Sequence, residues 1–155
     1  MLIIREAREE ELLKVSELWG DFMAYNAAFN DSFKIKKRAG SIFVKEMKER
    51  KQNPDCRLAV AEQDGKLIGF CYSYISLKPV YFKLEKFGFI GDLFVRQEYR
   101  RRGTGTSLVE DSLKFFRQRK IKQIELLVSV KNADAIRFWE TLGFEQLLTW
   151  MYNRA

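Results

Sequence analysis

The stretch Phe89-Ile-Gly-Asp-Leu-Phe-Val95, followed by Arg96-Gln-Glu-Tyr-Arg100-Arg-Arg-Gly103-Thr-Gly105-Thr106, joins an apolar run to a helical pattern through a loop of arginines and glycines. The run reads as a strand, and Leu108, Val109, Ser112, Leu113 and Phe116 beyond the loop share one helix face. Backbone amides at such a helix start lack partners, glycines let a ligand come close, and the helix dipole favours negative charge. The loop therefore reads as a cradle for phosphate, the alternative being a helix entry that uses its glycines only for the turn. Between Arg96 and Lys122 stand nine basic and three acidic residues, so this segment carries +6 of the chain's +7. It is not a P-loop, since no Lys follows Gly105, and the dinucleotide fingerprint lacks its third glycine, Leu108 standing there.

Upstream of the cradle, Leu2 to Arg5 reads as a first strand, and Glu9-Glu-Glu11 opens a helix on which Leu12, Val15, Leu18 or Trp19, and Phe22 recur. A second helix spans Ala39 to Lys51 with Ile42, Phe43 and Met47 inward, and the polar-aromatic stretch Asn26 to Arg38 connects the two. Asp64-Gly65 between the apolar runs Arg57 to Glu62 and Lys66 to Ile75 predicts a two-residue hairpin. On that register Leu58 faces Cys71 and Cys56 lies diagonal on the same side. Downstream, Gln123 to Val130 reads as a strand and Asn132 to Leu142 as a helix capped by Gly143, with a closing strand starting at Phe144 and running toward Tyr152. The order is β-α-α-β-β-β-α-β-α-β, a mixed-sheet α/β (α+β) fold in one domain, residues 1–155. The clear parallel crossover is strand 89–95, helix, strand 123–130.

Composition narrows the chemistry. The 155 residues are 46% hydrophobic and 14% aromatic, enough for a packed core. No histidine is present, which removes Ser-His-Asp and Cys-His catalysis and His-bearing zinc sites. Two cysteines cannot build a disulfide framework or a four-ligand metal cluster, so no metal is expected and the two thiols read as small buried hydrophobes. With no run of about 18 apolar residues and no signal-peptide pattern, the expectation is a cytoplasmic protein with no membrane partner.

Arg100-x-x-Gly103-x-Gly105 after an apolar strand resembles the Arg/Gln-x-x-Gly-x-Gly/Ala signature of the GNAT superfamily of acetyl-CoA-dependent N-acetyltransferases. Asn132-Ala-Asp-Ala-Ile-Arg-Phe-Trp-Glu-Thr-Leu-Gly-Phe144 is similar to that family's second motif, Asn-x-x-Ala followed by an aromatic pair and Leu-Gly-Phe. The opening Ile4-Arg5-x-Ala7 and the hairpin Ala61-Glu62-x-x-Gly65-x-x-x-Gly69 match as well, so the resemblance spans about residues 3 to 152.

The resemblance implies a GNAT-like fold whose two parallel strands splay, with acetyl-CoA as co-substrate and its pantetheine arm in the gap. Leu93, Phe94 and Val95 would then offer backbone groups to the pantetheine. Arg101, Arg102, Gly103, Thr104, Gly105 and Thr106 would hold the pyrophosphate with Arg100 beside them, and Asn132, Ala135 and Trp139 would line the arm. Asn132 equally suits an N-cap. The implied reaction is direct attack of a primary amine, from a small molecule or a peptide or protein, on the thioester. A backbone amide at Phe94 or Val95 would meet the oxyanion, and Asp92 would act as base or amine-orienting group, unless it serves as a structural partner for an arginine. Many members place a tyrosine acid where this chain has Trp139, and an indole cannot protonate a thiolate. Tyr99, Tyr152 and Tyr74 are alternative donors, as is water. Acceptor contacts would come from Tyr25 to Lys37, Leu77 to Phe87 and Leu147 to Asn153.

Two other classes stay open on the sequence: a CoA-binding regulatory module without turnover, and a nucleic-acid-binding module using Arg96 to Lys122. The second lacks the stacked aromatics of single-strand readers. A homodimer is compatible with a thinly covered acceptor side.

Overall fold

In the computed structural model, which describes residues 1–154, five strands form one sheet in the order β1-β2-β3-β4-β5. They are β1 (Leu2–Glu6), β2 (Cys56–Gln63), β3 (Lys66–Leu77), β4 (Lys86–Val95) and β5 (Ile124–Leu126). The helices are α1 (Leu12–Ala27), α2 (Ala39–Arg50), α3 (Thr104–Gln118) and α4 (Ala133–Thr141). Neighbouring strands are antiparallel except β4 and β5, which are parallel and joined through α3. This is the mixed α/β fold expected from the sequence, with corrections at its end.

Apolar periodicity sends the helices to opposite faces of the sheet. Leu12, Val15 and Leu18 of α1 and Phe43 and Met47 of α2 pack with Leu58, Val60, Phe70, Tyr72 and Phe94. On the other face Leu108, Val109, Phe115 and Phe116 of α3 and Trp139 of α4 pack with Ala59, Ala61, Ile68, Cys71, Ile90 and Val95. Ile42, expected to face the core, is instead half exposed.

The hairpin corrects the expected register. Asp64 and Gly65 both take positive φ, 51° and 75°, as a type I′ turn requires. A bulge between Ala61 and Glu62 then adds one residue, so Ala59, not Leu58, pairs with Cys71, and Leu58 pairs with Tyr72. Because strand side chains alternate, the shift places Cys56 and Cys71 on opposite faces of the sheet. No disulfide can join them, and both are free.

Strand β5 is shorter than the expected 123–130, and no closing strand forms: residues 145–154 lie in no helix or strand. Helix α4 stops where Gly143 takes φ 84°, Gly143 N–H donating to Glu140 O at 3.0 Å and Phe144 N–H to Trp139 O at 3.1 Å. This is a Schellman cap.

Close packing between β4 and α3 depends on Gly88, where an added Cβ would lie 2.6–2.8 Å from the fully buried Phe116 ring. Gly88→Ala is expected to cost about 1–3 kcal/mol by overpacking. Chemical denaturation measures it, and an unchanged midpoint would show that the ring moves freely.

Candidate active site

The parallel ladder between β4 and β5 covers only Gly88 with Ile124, Phe89 with Glu125 and Ile90 with Leu126. Strand β4 continues to Val95, so its last five residues have β3 on one side and no strand on the other. At this point a bulge interrupts the β3–β4 ladder: Tyr72 pairs with Asp92 and Ser73 with Ile90, leaving Gly91 unpaired. Such bulges re-aim side chains and often lie beside active sites.

Alternation fixes which backbone groups enter the gap. Arg96 N–H donates to Ile68 O of β3 at 2.8 Å, and Phe94 is paired with Phe70. The backbone groups of Phe94 therefore face β3, and those of Leu93 and Val95 face the gap. This corrects the expectation that all three residues offer backbone groups to a ligand. Val95 O accepts Arg100 Nε–H at 2.7 Å, which is consistent with this direction.

At the mouth of the gap lies the glycine-containing loop. Arg101 and Gly103 take positive φ, 62° and 80°, and α3 begins with no side-chain cap on its first amides. Ser107 N–H is the first to bond back within the turn, to Gly103 O at 2.9 Å, so the amides of Thr104, Gly105 and Thr106 are free of intrahelical partners. A Cβ at Gly103 would meet nothing within 4 Å, so the space above the loop is open. Successive backbone N–H groups at such a turn into a helix form an anion-binding concavity, and these residues fit a pyrophosphate.

The arginines are more dispersed than the charge count suggests. Arg100 bends back over the strand end, its guanidinium 5.0 Å from the centre of the Tyr25 ring and 5.4 Å from that of Phe94. It is thus a wall of the cleft mouth and not an arm reaching toward phosphate, as the sequence reading expected. Arg96 pairs with Asp21 at 3.4 Å. Arg117, Arg119, Lys120 and Lys122 lie at the far end of α3, about 20 Å from the loop at 1.5 Å per residue. There they complement the helix's negative end, and Arg119 donates to Pro54 O. Exposed Arg101 and Arg102 remain as the cations free to meet a ligand at the loop, with Arg101 4.0 Å from Asp134.

On the α4 side, Asn132 is buried, and its side chain accepts from Ala135 N–H at 3.1 Å, the N-cap role. Tyr25 O–H donates to the same Asn132 oxygen at 3.5 Å, tying the end of α1 to the start of α4 across the gap. Ala135 is partly buried beside it. Trp139 packs edge-on against Phe138 and Phe144, at 5.1 and 5.2 Å, in the core under the gap.

Asp92 stands on the α1/α2 face between Tyr72 and Phe94. Its carboxylate makes no hydrogen bond or ion pair among the described residues. Burial raises its pKa from 3.8 to about 6, and the more distant Arg50 cation opposes the rise. Arg50 itself donates to Tyr72 Oη at 2.9 Å. Asp92 thus has no arginine in direct contact among the described residues, Arg50 acting on it only from a distance, and it remains an under-solvated carboxylate beside the gap. Tyr72 and Tyr74 flank it with hydroxyl pKa values raised by burial. Separately, the loop after α1 and residues near the chain's end border an open hollow of about 230 Å³, lined by Ala27 to Asp31, Lys131, Tyr152 and Arg154. The signal for this hollow in the sequence was only the polar-aromatic composition of Asn26 to Arg38. Among the described residues no group of three or more Cys, Asp or Glu side chains could hold a metal, and no helix is long and apolar enough to cross a membrane.

The family model described as "Acetyltransferase (GNAT) family" matches residues 16–144. An uncharacterized N-acetyltransferase of Methanocaldococcus jannaschii is 30% identical over 148 residues, covering 92% of this chain and 60% of its own length. An N-alpha-acetyltransferase of Sulfurisphaera tokodaii is 30% identical over 111 residues, covering 68% of this chain and 64% of its own. The chain thus spans under two thirds of these relatives. Among solved structures, a protein described as a predicted acetyltransferase with acetyl-CoA, from Clostridium acetobutylicum, superposes with TM-score 0.77. It has 14% identity over 99% of this chain and 96% of its own, a likeness of fold.

Proposed function

The chain belongs to the acetyltransferase (GNAT) family, and from that premise we propose that it transfers the acetyl group of acetyl-CoA to a primary amine. The observation that carries the reading is the unfinished sheet. An open edge of β4 leads directly to uncapped amides of α3, a continuous row of donors and acceptors for a pantetheine arm followed by a pyrophosphate. Leu93 and Val95 would pair with the arm. Thr104, Gly105 and Thr106 amides would hold the phosphates, helped by Arg101 and Arg102, and Asn132 and Ala135 would border the arm on the other side.

Acetyl-CoA would supply the activated thioester, and the chain's own groups do the rest. Val95 N–H, pointing into the gap, would meet the negative charge that develops on the carbonyl oxygen. Asp92, ionised above a pH of about 6, would take a proton from the incoming ammonium or orient the amine. Trp139 offers no acid, and a thiol of pKa about 8.5 leaves tolerably as thiolate near neutral pH. The acceptor would enter from the side of the hollow, past Tyr25, Asp31 and Tyr152.

The test is CoA release with purified protein, acetyl-CoA and a panel of amines: N-terminal peptides, aminoglycosides and small metabolite amines. Turnover with at least one class is expected. Tight acetyl-CoA binding without release for every class would instead identify a CoA-binding module that has lost turnover. Salt-sensitive affinity for RNA without acetyl-CoA binding would favour the nucleic-acid reading.

A further inference from the structure

The departing sulfur of a thioester takes an electron pair and, to leave as a neutral thiol, a proton. The chain has no histidine to supply it, and the indole of Trp139 is no acid. The six tyrosines can be sorted by what their hydroxyls face. Tyr72 Oη accepts from Arg50 Nη1 at 2.9 Å and lies 3.5 Å from Cys56 Sγ, beside the end of α2. Tyr74 is stacked between Tyr72 and Phe89, 5.5 and 5.4 Å away. Tyr99 packs against the core on the α3 side, Tyr81 is exposed in the link from β3 to β4, and Tyr152 lines the hollow beside Lys131 and Arg154. Tyr25 remains: its hydroxyl crosses from the end of α1 to Asn132 at the start of α4.

The ring of Tyr25 is fixed along that crossing. Arg100 donates through Nε to Val95 O at 2.7 Å, and the same guanidinium lies 5.0 Å from the Tyr25 ring centre. Phe29 meets the ring edge-on at 5.2 Å. One cation thus holds the ring at the end of β4, close to the Val95 amide that faces the gap. The hydroxyl is held less firmly. Its 3.5 Å to Asn132 exceeds the usual O–H···O range, and the Asn132 oxygen already accepts Ala135 N–H at 3.1 Å. The Tyr25 proton can therefore turn to another acceptor in the gap at little cost. At 36% exposure the residue also borders water, which can return a proton.

We propose that Tyr25 is the acid that protonates the leaving sulfur, a role that rests on the acetyltransferase reading. The acceptor nitrogen forms the new bond to the acetyl carbon. As the carbon–sulfur bond breaks, its electron pair goes to sulfur, and Tyr25 gives sulfur its proton. The acceptor ammonium loses two protons in all, through Asp92 and water. One ends in solvent, and the other balances the proton that Tyr25 regains. One ammonium and one thioester thus become one amide, one thiol and one proton. Arg100 at the ring offsets the transient phenolate charge.

Tyr25→Phe isolates the hydroxyl, because the ring keeps its contacts with Arg100 and Phe29. A fall in kcat of about 10²-fold or more is expected, with acetyl-CoA affinity by calorimetry and helical circular dichroism unchanged. A second readout needs no turnover: CoA labelled with carbon-13 at the methylene beside sulfur reports, by its NMR shift, how much of the bound thiol is ionised. A hydroxyl donating to sulfur favours thiolate, so the wild type should hold about tenfold more of it than the variant at one pH below the thiol's midpoint. Arg100 and Asp92 bias that thiol alike in both proteins, so the difference belongs to the hydroxyl. Equal thiolate in the two proteins, or an unchanged kcat, overturns the proposal. So does a rate loss matched by an equal loss of acetyl-CoA affinity, which would make Tyr25 a clasp between α1 and α4 and nothing more. A wild type without turnover for any amine counts against the acetyltransferase reading instead, and the thiolate comparison still decides whether Tyr25 meets the sulfur.

Discussion

Asp92→Asn lowers kcat/KM for the amine by about 10²- to 10⁴-fold, the usual contribution of a general base, while acetyl-CoA binds as before. The same change is expected to stabilise the protein at neutral pH. Burial holds the Asp92 pKa at about 6 against an ordinary 3.8, so the folded state favours the protonated form. Below the ordinary value the group is neutral in folded and unfolded chains alike and costs nothing. As pH rises through the interval between the two values the charge forms more readily in the unfolded chain. Stability falls accordingly and then stays lower, by an upper figure of about 3 kcal/mol. Asn carries no charge and escapes that penalty. The wild-type rate, conversely, should rise with pH through about 6, because the ionised form is the working one. Kinetics and thermal melts across pH 4 to 8 measure both, and a variant that loses stability together with rate would mark Asp92 as a structural group. Activity gained at the expense of stability is what a functional carboxylate in such a position produces.

Gly103→Val should weaken acetyl-CoA affinity by 100-fold or more. A branched side chain at φ 80° strains the backbone by about 1–3 kcal/mol. It also places methyl groups over the free amides of α3. Since a Cβ there touches no other part of the protein, the fold itself should survive. Calorimetric titration with acetyl-CoA, with circular dichroism as the control for folding, decides the matter; wild-type affinity in a folded variant would remove the phosphate cradle from this loop.

The parts of the fold written in short-range pattern were readable in advance. Asp64-Gly65 specified its turn, Gly143 its cap, and the apolar faces of α1, α3 and α4 their sides of the sheet. The loop from Arg100 to Thr106 was readable because a strand, glycines and a helix start together determine where amides point. Features set by tertiary register were not. A single extra residue, Ile68 of β3 opposite the Ala61–Glu62 step, has no composition signal, yet it exchanges the facing of the strands beyond it. The short ladder between β4 and β5 is a property of two strands together, and the backbone direction that separates Val95 from Phe94 follows from pairing with β3. Net charge misled in one respect: it sums along α3, while its basic residues sit at both ends of a helix about 22 Å long. The strand expected at 144–152 was legible as a pattern but finds no partner within one copy.

The opposite placement of the two cysteines has a practical side. Cys71 is fully buried and its thiol is pushed up to about 11, so near neutral pH it is almost wholly protonated and shielded from reagents. Cys56, half-buried on the other face, is then the one thiol of the folded chain open to modification. A reaction followed by titrating newly released thiol with a disulfide reagent would therefore start from a background of at most one equivalent per chain, and oxidation of the protein cannot staple its hairpin shut.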